Sequence, residues 1–468
     1  MKAPANVWVE RLVGLDDLAV IRDRVRVAAR RLEGLMEAPR GVAVASLTAE
    51  LKRVFYPTDQ VCQLLREHVQ RAQVFAGMRY PTAMSFLNLA EANEPSLAAA
   101  SCWCLTGPAG IGKSALMQAL ERLIPPRQNV FVSEQFPAQP LGCLSRIVVD
   151  EKSTDSELLR ALGNPAVLVQ KQRLNQVDLV KHVRQWFLAT GVSTFIGDEL
   201  QFVTQSANAN TRVAKLLLVL TYLSVPMTYV ANYSLVHRLK RRPQEERQRL
   251  LANLKLLLPD DPHSDCWRAV IQVFLDAAPD AFNLAIAEHA VDLHRYSGGI
   301  KRVLRQLLVL AFEIAHARVG DRRVNIQDVR AAYRSAAFDV NRGDIEAMIS
   351  ISSSPQLMKA RSDLACPVSA VAEGRSAHAT ADRARSERTA KELMWGALSK
   401  DELAAAKNLQ QAAARANNAG VKPTVVSLRK PKPSLSVEEL LRGSAAAERK
   451  IRAPAESSVT SGSSPEKS

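Results

Sequence analysis

The sequence predicts an α/β fold: a parallel sheet flanked by helices, followed by a small helical lid and a largely disordered tail. Three observations carry that expectation. Short apolar and β-branched runs alternate with helix-periodic segments from Cys102 to Ala231, the pattern of strands joined by helical crossovers. A glycine-rich turn, Gly107-Pro-Ala-Gly-Ile-Gly-Lys-Ser114, joins one such run to a helix. An acidic pair, Asp198-Glu199, closes another.

Near the N-terminus Leu18, Ile21, Val25, Ala28, Leu32 and Leu35 recur at helical spacing opposite arginines, which predicts one helix over residues 15–35. Thr58 or Asp59 is placed to accept from the free N–H groups of a helix over 61–75, and Tyr80-Pro81 leads into a further short helix. Cys102-Trp-Cys-Leu105 is the strand before the turn, and its two thiols share a face that reads as core. Residues 127–132 and Arg146-Ile-Val-Val149 are expected as further strands of the same sheet, with helices over 156–162 and 177–188. The strand Val192-Ser-Thr-Phe-Ile-Gly197 delivers the acidic pair. An apolar helix over 213–223 and a strand Met227-Thr-Tyr-Val-Ala231 ending in Asn232 complete the alternation.

The densely basic stretch from His237 to Arg249 has three readings: an arginine supplied to a neighbouring subunit, contacts to a phosphate backbone, or a solvated helix face. From Asp280 to Arg334 three amphipathic helical segments are expected. Gly298-Gly-Ile-Lys-Arg302 starts the second, and Asn325 caps the last. Past Ile351 the composition turns to Ala, Ser, Arg, Lys and Pro. Too little apolar surface remains to order that tail, apart from helical islands over 390–414 and a capped apolar segment, Ser434 to Leu441.

The turn has the pattern G-x-x-x-x-G-K-[ST] of a phosphate-binding P-loop. Its glycines let successive backbone N–H groups face inward at a helix N-terminus, where the dipole favours an anion. The predicted cradle is Gly107, Pro108, Ala109, Gly110, Ile111, Gly112, Lys113, Ser114 and Ala115. Within it Lys113 would reach the β- and γ-phosphates of ATP and Ser114 would hold Mg2+. Asp198 would complete the metal shell and Glu199 would polarise the attacking water. Asn232, at the next strand tip, is a candidate to orient that water or simply to cap a turn. Arg302 is a candidate to reach back to the γ-phosphate from the lid.

Lys and Arg number 62 against 47 Asp and Glu, a net charge of +15, which favours an anionic partner such as nucleic acid or an acidic membrane surface. The six cysteines form no C-x-x-C pair and read as reduced thiols. No apolar run reaches the roughly 18 residues of a membrane span. The N-terminal Met1-Lys-Ala-Pro-Ala-Asn6 lacks the apolar core of a signal peptide, so a cytoplasmic protein with no membrane partner is expected.

Together Tyr56-Pro-Thr58, Gly107 to Ser114, Phe195-Ile-Gly-Asp-Glu199, Asn232 and Gly298 to Arg302 resemble the AAA+ ATPases, a P-loop NTPase group. Their order and spacing are similar to the TniB/TnsC-type ATPases of DNA transposition systems, over roughly Val54 to Phe338. The resemblance implies an ATPase that assembles with copies of itself as a ring or filament on double-stranded DNA. It would link a target-selecting protein to the transposase, with an arginine from the neighbouring subunit completing each ATP site. On this division residues 1–85 are an N-terminal helical extension, 86–275 the ATPase α/β subdomain, 276–345 the lid and 346–468 the basic tail. Two features depart from the pattern: Gly197 stands where a large apolar residue is usual, and the tail is long. An AAA+ loader or initiator of replication or repair is an alternative, as is a nucleotide-gated DNA scaffold with negligible hydrolysis.

In Ser434-Leu-Ser-Val-Glu-Glu-Leu-Leu441 the apolar residues fall on one helical face, in a tail with no core for them to join, which is the form of a segment that folds on a partner. Truncation after Val425 is expected to leave ATPase activity and melting temperature unchanged and to abolish transposase recruitment in a pull-down. A truncated protein that melts lower yet recruits normally would assign the segment to the fold instead.

Overall fold

A computed structural model describes residues 6–91, 100–132, 134, 138–149, 154–164, 174–199, 209–351 and scattered positions between 356 and 408. Five helices come first: α1 (Val7–Glu10), α2 (Leu18–Val25), α3 (Arg40–Arg53), α4 (Asp59–Arg79) and α5 (Ala83–Glu91). The α/β layer follows with β1 (Cys102–Thr106), α6 (Lys113–Leu123), β2 (Gln128–Val130), β3 (Gln139–Leu141), β4 (Leu144–Val148), α7 (Asp155–Leu162) and α8 (Gln176–Ala189). It continues through β5 (Thr194–Asp198), α9 (Ala209–Thr221), β6 (Met227–Ala231), α10 (Tyr233–Leu239), α11 (Gln244–Leu251) and β7 (Asn253–Leu256). The lid then comprises α12 (Asp265–Leu275), α13 (Ile286–Ser297), α14 (Lys301–His316), α15 (Ile326–Arg334), a 3-10 turn (Ala336–Phe338) and α16 (Asp339–Ile351).

Five strands form one parallel sheet in the order β4-β5-β6-β1-β7. Every residue of β5 and β6 is buried, so neither strand shows the apolar–polar alternation of a half-exposed one. Cys104, Phe195, Met227 and Tyr229 pack on one face against α7, α8 and α9. Leu105, Ile196 and Val230 pack on the other against α4 and α6. A separate apolar core holds the lid together, and it takes in Leu47 and Leu51 of α3 and Trp267 and Ile271 of α12. Gly197 does not interrupt β5, since it pairs in register with Ile147 on one side and Tyr229 on the other.

Several expectations need correction. The helix predicted over 15–35 is confined to Leu18–Val25, after which Val27 bridges Phe55 and the N–H of Leu32 donates to the carbonyl of Ala277. The apolar spacing is kept, yet Ile21 and Val25 are buried against α4 and α6 while Leu35 is buried in the lid core, so no single helix serves both. Residues 127–132 do not enter the sheet. Their strand, β2, pairs antiparallel with β3 in a separate two-stranded ribbon, and its exposed burial pattern suits a surface position. Thr58 occupies the N-cap position of α4, but its side chain makes no capping bond. The edge strand β7 and helices α3 and α12 were not anticipated.

Asn325 does cap α15, in a reciprocal box with Asp328. Of the helical islands expected over 390–414, residues 402–406 are helical. The segment from Ser434 to Leu441 lies outside the described residues. No helix among the described residues is long and apolar enough to cross a membrane.

Leu47 is fully buried in the lid core. Truncating it leaves a cavity that a packed interior refills only in part, so Leu47→Ala is expected to cost about 2–5 kcal/mol, read as a lower urea midpoint.

Candidate functional site

The parallel order sets the C-terminal ends of β1, β5 and β6 side by side, with Thr106 paired to Ala231 and Gly197 paired to Tyr229. The glycine-rich loop leaves β1 at that edge. Gly107 is required there by close approach, because a Cβ on it would clash with the carbonyl oxygen of Leu257. Gly110 and Gly112 have φ of +83° and +115°, where a side chain is strained, and Gly112 caps the start of α6. The loop is tied to the lid by the N–H of Arg302, which donates to the carbonyl of Gly110 at 3.1 Å.

Lys113 folds over the loop. Its Nζ donates to the carbonyls of Gly107 at 2.8 Å and Pro108 at 3.0 Å. Burial and the nearby charge of Arg302 lower its pKa to about 8, against the opposing pull of Glu199 and Asp198. Ser114 Oγ donates towards Asp198 Oδ1 at 3.2 Å and Glu199 Oε1 at 3.3 Å. The backbone of Glu199 lies at φ +57°, a position non-glycine residues seldom occupy, and its N–H donates to Asp198 Oδ1 at 3.0 Å. That turn at the strand end is what points the Glu199 carboxylate back to Ser114, and a backbone outlier of this kind typically stores about 1–3 kcal/mol.

The structure thus brings Lys113, Ser114, Asp198 and Glu199 together, with Arg302 at the loop. Asn232 stands at the neighbouring strand tip, where its Oδ1 is taken up in capping α10. That oxygen accepts from the N–H of Leu235 at 3.0 Å and from Ser234 Oγ at 2.9 Å. Of the basic stretch after it, His237 meets the carbonyl of Ala365, Lys240 meets that of Pro367, and Arg242 pairs with Glu246, while Arg241 and Arg247 remain exposed.

Two parts of the site were missed by sequence reasoning. One is a cavity of about 110 Å3 behind the loop, lined by Phe55, Tyr56, Ile111, Ala115 and Phe274 among others. The guanidinium of Arg122 lies over the ring of Phe55 and that of Arg26 over Tyr56. The other is Arg146 on β4, whose Nη2 donates to Asp198 Oδ2 at 2.8 Å and whose Nη1 donates to Glu121 Oε2 at 2.6 Å. Burial opposes its charge, but these bonds outweigh the burial and raise its pKa. A signal for Arg146 was present in the sequence: an arginine on a half-buried strand of a parallel sheet calls for a carboxylate nearby.

The arrangement suits a magnesium nucleotide. A serine hydroxyl and two carboxylates are hard oxygen donors, and Mg2+ in a P-loop takes most of its ligands from phosphate and water. No cluster of three or more His, Cys, Asp or Glu that would hold a metal by itself occurs among the described residues. The Lys113 ammonium, held on main-chain carbonyls beside a second cation, is placed to exchange them for an anion.

Residues 97–239 match the family described as an AAA domain. With the parallel sheet and the loop, this gives that part of the chain the fold of an AAA+ P-loop NTPase. Among solved structures the chain is similar to the ORC2 protein of Aeropyrum pernix in ADPNP–ADP complexes, at 13% identity over 74% of this chain and 95% of that one, with a TM-score of 0.36. It is similar to CDC6P of Pyrobaculum aerophilum at 11% identity over 74% and 85%, with a TM-score of 0.37. It is also similar to the ORC1 protein of Aeropyrum pernix in complex with DNA, at 17% identity over 58% of this chain and 66% of that one, with a TM-score of 0.33. These overlaps are loose. No curated protein matches the chain in sequence.

Because the folded pKa of Lys113 is depressed, charging it costs stability below about pH 8, and that cost is relieved as pH rises through about 8 towards the unfolded value. An anion on the loop favours the charged form, so nucleotide affinity is expected to fall about tenfold per pH unit above about pH 8. A fluorescent-nucleotide titration at a series of pH values tests this, and flat affinity up to about pH 9.5 would contradict it.

Proposed function

We propose that the chain is an ATP-hydrolysing AAA+ regulator that assembles with its own copies on double-stranded DNA and links target selection to a transposase. The observation that carries the ATPase part is the convergence of Ser114 Oγ on both Asp198 and Glu199, beside a lysine lying across the loop. Lys113 and the loop N–H groups bind the phosphates, and Arg302 approaches from the lid. Phe55, Tyr56 and Ile111 offer an apolar wall for the base in a small cavity that Lys52, Arg53, Arg122, Lys301 and Arg305 also line. Bound between Ser114, Asp198 and the phosphates, Mg2+ would neutralise phosphate charge. Glu199 orients a water and takes up its proton at the carboxylate, and Asn232 retains its amide for the same water. The transposition part rests on the resemblance in motif order, and the DNA part on the net charge of +15 and the exposed Arg241 and Arg247.

Lys113→Ala is expected to abolish binding in a fluorescent-ATP titration, whereas Glu199→Gln binds ATP and releases no phosphate. Equal affinity of Lys113→Ala and wild type would sink the assignment. DNA affinity is expected to fall steeply between about 50 and 200 mM salt and to depend little on sequence, since phosphate contacts carry none. Salt-independent binding, or a strong preference for one short sequence, would count against a backbone-directed interface.

A further inference from the structure

We propose that Arg146 is a latch that sets how strongly Asp198 attracts a divalent cation, and that Glu121 on the P-loop helix shares the latch and weakens it. The proposal rests on Asp198 being a metal-shell carboxylate and extends to a residue outside the phosphate loop and the acidic pair. In the parallel register Arg146 pairs with Ile196 and Val148 with Asp198, so the Arg146 side chain reaches two residues along the neighbouring strand to meet the carboxylate.

Both oxygens of that carboxylate are engaged by protein donors: Oδ2 by Arg146, and Oδ1 by Ser114 Oγ and the Glu199 N–H. The Asp198 side chain is only 1% exposed, against 14% for Arg146 and 38% for Glu121. The aspartate therefore depends on the guanidinium more than the glutamate does. A full positive charge within hydrogen-bond distance of a buried carboxylate lowers its attraction for a second cation such as a metal ion.

Glu121 makes the arrangement adjustable. It lies seven residues, two helical turns, after Ser114 on α6, so both side chains face the same side of that helix, towards β4 and β5. One helix thus carries the hydroxyl that would hold the metal and the carboxylate that draws Arg146 away from Asp198. A purely structural ion pair would lower stability when broken and leave the metal dependence of nucleotide binding unmoved. A latch moves that dependence, and does so in opposite directions when its two anchors are removed.

The test measures the magnesium concentration that gives half of the magnesium-dependent gain in affinity for a fluorescent ATP analogue, with the melting temperature recorded alongside. For Arg146→Ala, which frees the carboxylate, half-saturation is expected to fall about tenfold. For Glu121→Gln, an isosteric change on a partly exposed side chain that leaves Arg146 to Asp198 alone, it is expected to rise about two- to threefold. If Arg146→Ala does not fold, the rise in Glu121→Gln decides the matter alone. Magnesium-dependent wild-type binding with half-saturation unmoved in the folded variants, or moved in the same direction in both, would overturn the latch and leave the ATPase reading intact. Absence of any nucleotide binding by the wild type would overturn the ATPase reading, and the latch with it.

Discussion

Burying a carboxylate at the end of a fully buried strand is costly unless hydrogen-bond donors surround it, and the surroundings of Asp198 meet that constraint from three directions. The glycine-rich loop contributes Ser114, the neighbouring strand contributes Arg146, and the chain itself contributes the N–H of Glu199 by turning into a positive-φ conformation. Each donor requires a particular architecture. Ser114 arrives only if α6 starts at the edge where β1 ends, and Arg146 only if β4 lies next to β5 in parallel register. Removing one partner of such a group leaves the rest of the desolvation cost unmatched, which is why buried ion pairs are strongly destabilising to break even where they add little when intact. The strand order β4-β5-β6-β1-β7 and the chemistry at its edge are thus one requirement seen at two scales.

The loop is held as closely as the carboxylate. The carbonyl of Leu257, just past β7, occupies the place where a Gly107 side chain would be, and the N–H of Leu257 donates to Thr106. On the other side Gly110 accepts the N–H of Arg302, and the Cβ of Arg302 stands where a side chain on Gly110 would have to go. A lid helix and an edge strand therefore converge on the same few residues. Any displacement of α14 relative to the sheet has to break the Arg302–Gly110 bond or carry the loop with it, which couples the lid to the residues that would cradle phosphate.

What the sequence made legible was local. The loop, the acidic pair, strands β1, β4, β5 and β6, and the Asn325 cap each have a signature within about ten residues, and the alternation of strands and helices fixes the class of sheet. Long-range choices were not legible. Residues 127–132 have the composition of a strand, but whether a strand joins a sheet depends on which edge is open to it, and here β3 offered the nearer partner. Strand β7 is four residues long and follows a run of charge, so nothing in it outweighs the basic segment before it. For Asn232 the sequence left water orientation and capping open. The structure places its oxygen in the cap, an interaction that depends on a helix starting at once after β6.

The residues predicted as one helix over 15–35 show the same limit and explain something about the whole. Their apolar spacing is real, yet it serves two cores: Ile21 and Val25 close the α4–α6 face of the sheet, and Leu35 enters the lid. Between them the chain runs extended, bridging Phe55 at Val27 and hydrogen-bonding Ala277 at Leu32. A continuous helix would direct the later apolar residues along the axis of the first and bury at most one set. Breaking it costs a few local hydrogen bonds, which water or the new partners replace, and gains burial in both layers. The resulting strap braces Phe55 through the Val27 bridge on its way from one layer to the other, and Phe55 in turn lines the small cavity that α3, the lid and the glycine-rich loop enclose.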